Sequence, residues 1–490
     1  MKCFLLIAAA LLLFVSGQAS AEDEGAVRLT ITPAVEPLPA LKYQLLPKFV
    51  DRRPGNAALR YTKAMLDYRP EAKVDAQVDA WLKLPFAEFA KREIIDAIRN
   101  SHDTYKTFEA AHTANVTYII DDLRAAARLE SCSWELPIRE QMVFTIKLPE
   151  VQEMRRMARY VALRARLELA ESKYAEAVET LGVGYAMARH VSQGSTLING
   201  LVGVAVAAQM DRVLLDFAQT PGAPSLYWAL TFQPRPLVDP RPGLEMEMTA
   251  LLLSFPALQP AERSEEEWKI TAQRLAKEFM QMSAMLSNEG RPAEWWSKAL
   301  GQVTLMTQVA ARRDSLQTFL VRCGLDQKDV AGMSDSRLFI EFSRLKYEDL
   351  RDDMFRWTML PYPEARRGIE AAEQRLVKAK AGNGDDQEII PFATLLLPAV
   401  AQVSKTYARG ERRLDVLRIV EGLRLHAAKN EGKLPKALDD VQIVPLPKLD
   451  AVTGKPFEYS LKNDMAVLTL PEERGTGHKD ALTYEITVAK

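Results

Sequence analysis

Pairs of acidic residues are the first candidates for chemistry in this 490-residue chain. They stand at Asp121–Asp122, Glu245 with Glu247, Asp352–Asp353 and Asp385–Asp386. Two carboxyl groups held near each other supply the acid and the base of glycoside hydrolysis. In helical sequence, however, such pairs usually form solvated faces. We therefore assign no catalytic residue to them.

Histidines and loop oxygens are the candidates for metal binding. The five histidines are His102, His112, His190, His426 and His478, and none stands in a zinc-binding H-E-x-x-H pattern. The chain also contains no C-x-x-C, no G-x-S-x-G and neither glycine-rich phosphate-binding pattern. The loop over residues 471–480 offers too few carboxylates for the six to eight oxygens that calcium prefers. The sequence predicts no metal and no cofactor.

Cysteine usage gives one structural alternative. Beyond Cys3, the chain contains only Cys132 and Cys323. In an oxidising compartment these two residues could form a disulfide, and two buried free thiols are the other interpretation.

The N-terminus predicts export. Met1-Lys2 is a short positive segment, an apolar run follows from Phe4 to Val15, and Ala19-Ser20-Ala21 has the small-residue pattern of a signal peptidase site. The apolar run is shorter than the roughly 20 residues that a membrane span needs. Residues 1–21 are therefore expected to be a cleaved signal peptide, which leaves a periplasmic or extracellular protein that is not inserted in a membrane.

The overall charge excludes one class of partner. Lys plus Arg number 64, against 65 Asp plus Glu, so no global positive field attracts nucleic acid. With 48% hydrophobic residues the composition is that of a globular chain with buried cores.

The elements that would position any site are predicted to be mainly α-helical. Alternation over residues 27–32 indicates a strand, and a helix is predicted from Pro54 towards Tyr68. Proline-rich and glycine-rich breaks divide the chain into an N-terminal strand and helical region at 22–130, a helical region at 131–385 and a C-terminal α+β unit at 386–490.

Residues 160–191 show the clearest helical periodicity. Apolar and small residues recur at alternating spacings of three and four, from Tyr160 to Val191, which predicts a packing face. Around Ser172-Lys173 the pattern resembles the helix-turn-helix of a tetratricopeptide repeat, whose second helix begins Y-x-x-A, as Tyr174 to Ala177 does here. This resemblance implies an array of paired helices, and an ordinary bundle of long helices is the alternative.

The C-terminal unit is predicted to be one helix on a three-stranded antiparallel sheet. A helical pattern runs over 412–430, and alternating residues follow near 457–461, 465–470 and 482–488. Between the helix and the sheet stand Gly432, Pro435, Asp450, Gly454, Pro456, Phe457 and Tyr459.

Gly432 and Pro435 resemble the glycine-plus-proline turn that follows the long helix in the periplasmic part of type II secretion pseudopilins, and the other five residues resemble the D-P-W-G-x-P-Y-x-Y loop that comes next. The resemblance implies a proline-braced turn whose aromatic residues fill the gap between helix and sheet. The chain departs from the motif at Ala451 and Val452, and it lacks the G-F-T-x-x-E start of a pseudopilin. As a whole it resembles uncharacterised exported bacterial proteins that combine a helical region with this ending.

Three functions remain open at this stage. We expect a non-catalytic exported binding or scaffold protein with a protein partner, because paired helices offer extended surfaces. The alternatives are a hydrolase whose site is assembled from residues distant in sequence, and an accessory component of a secretion or pilus-like machine.

Overall fold

The computed structural model describes residues 26–67, 72–100, 119–286, 302–380, 387–471 and 483–489. The chain is mainly helical and has a small sheet of a few strands. It divides into two compact units. Among the described residues, the first unit contains 136–147 and 244–405, and the second contains 26–135, 148–243 and 406–489. The expected signal peptide lies outside the described residues.

The α-helices are numbered in chain order. They are α1 Ala58–Asp67, α2 Ala72–Lys83, α3 Phe86–Phe89, α4 Arg92–Asn100, α5 Ile119–Ala127, α6 Pro149–Ala170, α7 Tyr174–Ser192, α8 Leu197–Gln219, α9 Tyr227–Thr231, α10 Arg241–Ser254, α11 Glu265–Leu286, α12 Gln302–Ala311, α13 Arg313–Arg322, α14 Gln327–Ala331, α15 Asp335–Thr358, α16 Tyr362–Lys380, α17 Phe392–Leu396 and α18 Pro398–Lys429. The strands are β1 Val27–Ile31, β2 Arg53–Asn56, β3 Leu129–Ser131, β4 Glu458–Lys462, β5 Met465–Thr469 and β6 Thr483–Val488.

The first unit is built around helices α11, α15 and α16. The ring of Phe392 packs edge-on against Phe255 and Phe279, with centroids 5.0 and 5.1 Å apart. Such offset aromatic contacts favour a packed apolar core. At the start of α11, the Glu267 carboxylate accepts from the backbone N–H of Ser264 at 2.7 Å, and the Ser264 hydroxyl accepts from the N–H of Glu267 at 3.3 Å. The chain therefore begins this helix with a capping box.

Helices α6, α7 and α8 pack against one another in the second unit. Ser172 links α6 to α7 with a φ of 60°, a left-handed conformation that is uncommon for a residue with a side chain. A Cβ atom at Gly184 would collide with the Met210 sulfur, so this glycine allows α7 and α8 to approach closely. Ala177 and Leu181, which belong to the predicted packing face, are fully buried.

The main sheet has four strands in the order β1-β6-β5-β4. Strands β4, β5 and β6 pair antiparallel, while β1 adds to β6 in parallel, with Val27 opposite Tyr484 and Ile31 opposite Val488. The prediction of three strands was therefore incomplete. Leu29 and Ile31 are buried with Val420 and Leu423 of α18 in one core, and this apolar face keeps β1 at the edge of a sheet formed by the C-terminus.

The predicted helix start at Pro54 was wrong. Residues 53–56 form β2, which pairs in parallel with β3, and α1 begins at Ala58. Asn56 explains the boundary, because its side-chain oxygen accepts from the backbone N–H of Ala58 at 3.0 Å and from that of Ser133 at 2.9 Å. Asparagine and aspartate commonly form such side-chain turns before a helix.

Candidate functional site

Asp450 organises the loop between α18 and the sheet. Its carboxylate accepts two hydrogen bonds from the Arg412 guanidinium, from Nε at 2.6 Å and from Nη2 at 2.9 Å. The backbone N–H groups of Val452 and Thr453 donate to the same carboxylate at 3.0 and 2.7 Å. Both charged side chains are buried. These internal hydrogen bonds give Asp450 a structural role in the turn.

The other motif residues complete this turn. Gly454 has a φ of 68°, which glycine adopts without strain, and its N–H donates to the Asp450 carbonyl at 2.8 Å. Phe457 is buried in the core between α18 and the sheet. The Tyr459 hydroxyl donates to the Pro435 carbonyl at 2.8 Å, and Pro456 bridges to Leu449. These contacts give the motif residues a structural role in joining α18 to the sheet.

A second buried ion pair lies further along α18. Arg424 is fully buried and donates to Glu421 at 2.7 Å, to the carbonyl of Thr32 at 2.9 Å and to that of Ala223 at 2.8 Å. Glu421 also accepts from the Ser225 hydroxyl at 2.9 Å. Buried charges are tolerated when each donor and acceptor has a partner, and this cluster meets that condition.

His190 is also used structurally. Its Nδ1 lies 2.8 Å from the Tyr61 hydroxyl and its Nε2 lies 2.9 Å from the Leu129 carbonyl. Burial lowers the pKa of His190 to about 4, so the ring is neutral at pH 7. Its carbonyl contact requires the proton on Nε2, and the Tyr61 hydroxyl then donates to Nδ1. His426 is half-buried, and His102, His112 and His478 lie outside the described residues.

The two cysteines are both free thiols in the structure. Cys132 is buried and Cys323 is exposed. Burial raises the pKa of both thiols, which keeps them protonated and weakly nucleophilic at neutral pH.

The acidic pairs do not form a shared site in the described residues. Asp122 is buried and pairs with Lys63 and Arg60, so it is not on a solvated face. Asp353 pairs with Arg375 at 3.4 Å. Asp385 and Asp386 lie outside the described residues.

Two other carboxyl groups in the first unit are perturbed. Burial raises the pKa of Glu247 and of Glu388 to about 7. Glu388 accepts from the backbone N–H groups of Ala393 and Thr394 at 2.8 and 3.0 Å, so it caps the short helix α17.

Neither a metal site nor a membrane span is found in the part of the chain that the structure describes. No group of three or more His, Cys, Asp or Glu side chains in that part could hold an ion. No helix there is both long and apolar enough to cross a bilayer. Residues 472–480 of the loop considered for calcium lie outside the described residues.

A small cavity of about 20 Å³ in the second unit is lined by Asp211, Tyr407 and Arg413. Asp211 accepts from the Tyr185 hydroxyl at 2.8 Å and from Arg413 at 3.2 Å. A space of this size holds about one water molecule. This cavity therefore belongs to an internal polar network.

A larger cavity of about 310 Å³ lies beside the segment 42–51 and helices α5 and α7. Its charged residues are largely paired with one another: Glu179 lies 3.3 Å from Arg124 and 3.7 Å from Arg128, and Arg124 also contacts Asp121 at 3.1 Å. We call it the paired cavity.

A third cavity of about 220 Å³ shares the wall formed by Gln44, Leu46 and Pro47, and we call it the arginine cavity. It is lined by Gln44, Leu45, Leu46, Pro47, Arg52, Arg189, Ala229, Phe232, Gln233 and Pro234. The lining contains two guanidinium groups and no acidic residue. Pockets that enclose drug-sized ligands have roughly 300–1,000 Å³, so this cavity fits a small anion or the end of a longer molecule.

Local structure explains how the two arginines reach the cavity. Arg52 follows a 3-10 turn at Phe49–Asp51, and its Nε donates to the Pro47 carbonyl at 3.1 Å, which orients the guanidinium. Arg189 stands in the last turn of α7, where the negative end of the helix dipole favours a cation.

Gln233 supplies the third polar group. It follows α9, and the ring of Pro234 disfavours helical conformation at the residue before it. Gln233 is only 5% exposed, and neither its side-chain oxygen nor its side-chain nitrogen has a hydrogen-bond partner. A buried amide that bonds nothing costs free energy, so these two atoms are available to a ligand.

The electrostatics of the arginine cavity favour an anion. Burial, and then the positive charge of Arg52, lower the pKa of Arg189. Among the described residues, no carboxylate lies within ion-pair distance of either guanidinium. An anionic ligand would supply the missing countercharge.

Sequence reasoning did not predict this site. Arg52, Arg189 and Gln233 come from three distant segments and match no motif. The only local signal is the proline on the C-terminal side of Gln233, which marks a chain break and not a binding residue.

No protein-family model, curated protein or solved structure matches this chain.

Proposed function

We propose that this protein is a non-catalytic exported binding protein whose ligand is an anion held in the arginine cavity. One observation carries this proposal: two guanidinium groups and a buried unpartnered amide line one cavity that has no acidic residue. A folded protein gains nothing from placing two like charges together unless a ligand or solvent compensates them. The ligand thus takes the role that Asp450 has for Arg412.

Export follows from the sequence of the first 21 residues. We place the protein in the periplasm or outside the cell, without membrane insertion after signal cleavage and without a nucleic-acid partner. A partner protein is the source of ligand that we favour.

The architecture supports a binding role in two further respects. We propose that α6 and α7 are a tetratricopeptide-like pair, supported by the positive φ at Ser172 and the close packing at Gly184. We also propose that the C-terminal region from 386 onward is a pseudopilin-like α+β unit. The support is the Asp450 turn and the position of Phe457 between helix and sheet.

The hydrolase alternative would use Glu247 and Glu388, whose raised pKa values suit acid–base chemistry near neutral pH. Glu388 already has a structural role as a helix cap, which makes this alternative weaker. An activity screen of the purified protein against glycoside, ester and peptide substrates separates the two, since turnover that is lost in Glu247→Gln would favour the hydrolase. An accessory role in a secretion machine would instead appear as co-purification with envelope assemblies.

The binding proposal is tested by calorimetric titration of the purified protein with acetate, phosphate and sulfate. We expect at least one anion to bind, and Arg189→Gln to weaken that binding by about tenfold or more. Arg128→Gln is the matched control, because this arginine lines the paired cavity. Binding that survives Arg189→Gln, or that Arg128→Gln abolishes, would contradict the proposal.

A further inference from the structure

The polar groups of the arginine cavity require more than a simple anion. Each guanidinium donates hydrogen bonds and accepts none, whereas the Gln233 side chain has both a donor and an acceptor to satisfy. Sulfate would bind the arginines and the amide nitrogen but would leave the amide oxygen unpaired, and hydrogen phosphate could satisfy that oxygen only through a P–OH group. A ligand that satisfies every group must carry an anionic group with acceptor oxygens and, close to it, a hydrogen-bond donor.

Two details narrow the chemistry. The N–H should belong to a neutral amide, because an ammonium group would be repelled by Arg52 and Arg189. The last residue of an extended chain complements the Gln233 carboxamide, because its N–H can donate to the side-chain oxygen while an oxygen of its own carboxylate, on the same side of the chain, accepts from the side-chain nitrogen. In the last residue of a polypeptide, a planar carboxylate and an amide N–H are attached to the same carbon atom.

We infer that the arginine cavity binds the C-terminal end of a polypeptide, with the carboxylate between Arg52 and Arg189 and the last peptide group against Gln233. This inference rests on the proposed function. Guanidinium groups bind planar carboxylates with two parallel hydrogen bonds, which suits the carboxylate to this pair. Phe232 also lines the cavity and is 61% exposed, so it offers a contact to an apolar C-terminal side chain.

The surrounding surface favours a polypeptide over a free acylated amino acid. The segment that contributes Gln44 and Arg52 to the cavity also contains Phe49 and Val50, which are 82% and 85% exposed. Adjacent large apolar side chains on a surface mark an interaction site. A small ligand confined to about 220 Å³ would leave them exposed, whereas a chain that leads out of the cavity can cover them.

Four probes test the inference by calorimetry on the full chain. They are N-acetyl-alanyl-phenylalanine, the same compound with a C-terminal amide, sodium phosphate, and a ten-residue peptide with the same last two residues. We expect the free acid to bind about tenfold or more tightly than the amide or phosphate, because it presents a planar carboxylate to the arginines and, beside it, the N–H that pairs with Gln233. The ten-residue peptide should bind more tightly than the dipeptide.

Variants assign the contacts. Arg189→Gln should weaken binding of the free acid by about tenfold or more, while Arg128→Gln leaves it unchanged. Gln233→Leu should remove the preference of the protein for N-acetyl-phenylalanine over 3-phenylpropanoate, which has the carboxylate and no amide. A preference that persists in Gln233→Leu would overturn the role of the amide.

The outcomes separate this inference from the proposed function. Phosphate or acetate binding that depends on Arg189, with no preference for the peptide acid, would overturn the inference and retain an anion-binding protein. Equal affinity for the dipeptide and the ten-residue peptide would overturn the choice of a polypeptide end. No binding of any anion or peptide would overturn both.

Discussion

Two arginine sites in the second unit differ in how their charges are satisfied. In the C-terminal loop, Arg412 and Asp450 form a bidentate pair that is buried and surrounded by further hydrogen bonds. In the arginine cavity, Arg52 and Arg189 have no carboxylate partner among the described residues, and the Gln233 side chain has no hydrogen-bond partner. The first arrangement stabilises the fold by itself. The second is the arrangement for which we propose a ligand.

This comparison separates polar residues that stabilise the fold from polar residues that are candidates for ligand binding. Asp450 stands out in the sequence because it belongs to a motif. Its role is nevertheless structural, because its hydrogen-bond partners lie within the protein. Arg189 matches no motif, and no carboxylate among the described residues pairs with it. Mutations at the two sites should therefore have opposite consequences for stability and binding.

The largest effect is expected for Asp450→Ala. The substitution leaves the Arg412 guanidinium buried without a countercharge, which should lower the free energy of unfolding by about 3–5 kcal/mol. Urea denaturation monitored by circular dichroism measures this change. Glu458→Ala, at an exposed neighbouring strand position, is the control and should stay within about 0.5 kcal/mol of the parent. A loss below about 1 kcal/mol at Asp450 would mean that the pair is not the anchor of the loop.

The His190 cluster should make stability depend on pH. The pKa of His190 is about 4 in the folded protein and 6.5 in the unfolded chain, so between these values the unfolded chain binds more protons. Stability from this residue should therefore be complete above pH 6.5 and fall as the pH decreases to 4, by about 3 kcal/mol in total.

Other groups titrate in the same window with the opposite sign. Burial raises the pKa of Asp216 to about 6, which favours the folded state as the pH falls. The measurement is thus the difference between the parent and His190→Gln in urea denaturation from pH 4.5 to 7.5. A difference that does not change with pH would show that His190 is not held neutral by its surroundings.

Gln233→Leu should change the free energy of unfolding in the opposite direction to Asp450→Ala. It removes a buried amide whose atoms have no partner, so the free energy of unfolding should rise by about 1–3 kcal/mol. Thermal denaturation in the absence of ligand measures the change. A destabilised variant would show instead that the Gln233 side chain already has hydrogen-bond partners. The main support for ligand binding in the arginine cavity would then be lost.

The smallest effect on stability is expected for Arg189→Gln. Removing one of two mutually repelling charges should leave the free energy of unfolding within about 0.5 kcal/mol of the parent. Anion binding, however, should weaken by about tenfold or more. A strong loss of stability would show that Arg189, like Arg412, stabilises the fold. The two arginine sites would then not differ in the way described above.

Short stretches of sequence determine much of the local structure. The strand predicted from the alternation over 27–32 is confirmed as β1, because such periodicity depends on neighbouring residues. The helix start at Pro54 was placed wrongly because Asn56, two residues later, competes as a side-chain cap while β2 pairs with β3. Strand pairing of this kind overrides a local helix signal.

Sequence by itself therefore determined a mainly helical chain with strands near its two ends and a turn built around Asp450 and Gly454. Only the tertiary structure decided that β1 completes the C-terminal sheet, that Arg412 is the partner of Asp450, and that Arg52, Arg189 and Gln233 share one cavity. The physical reason is the range of the interactions. Helix and turn preferences depend on residues that are close in sequence. A cavity lined by arginines without a carboxylate depends on how distant segments pack, and neighbouring residues in the sequence do not determine that packing.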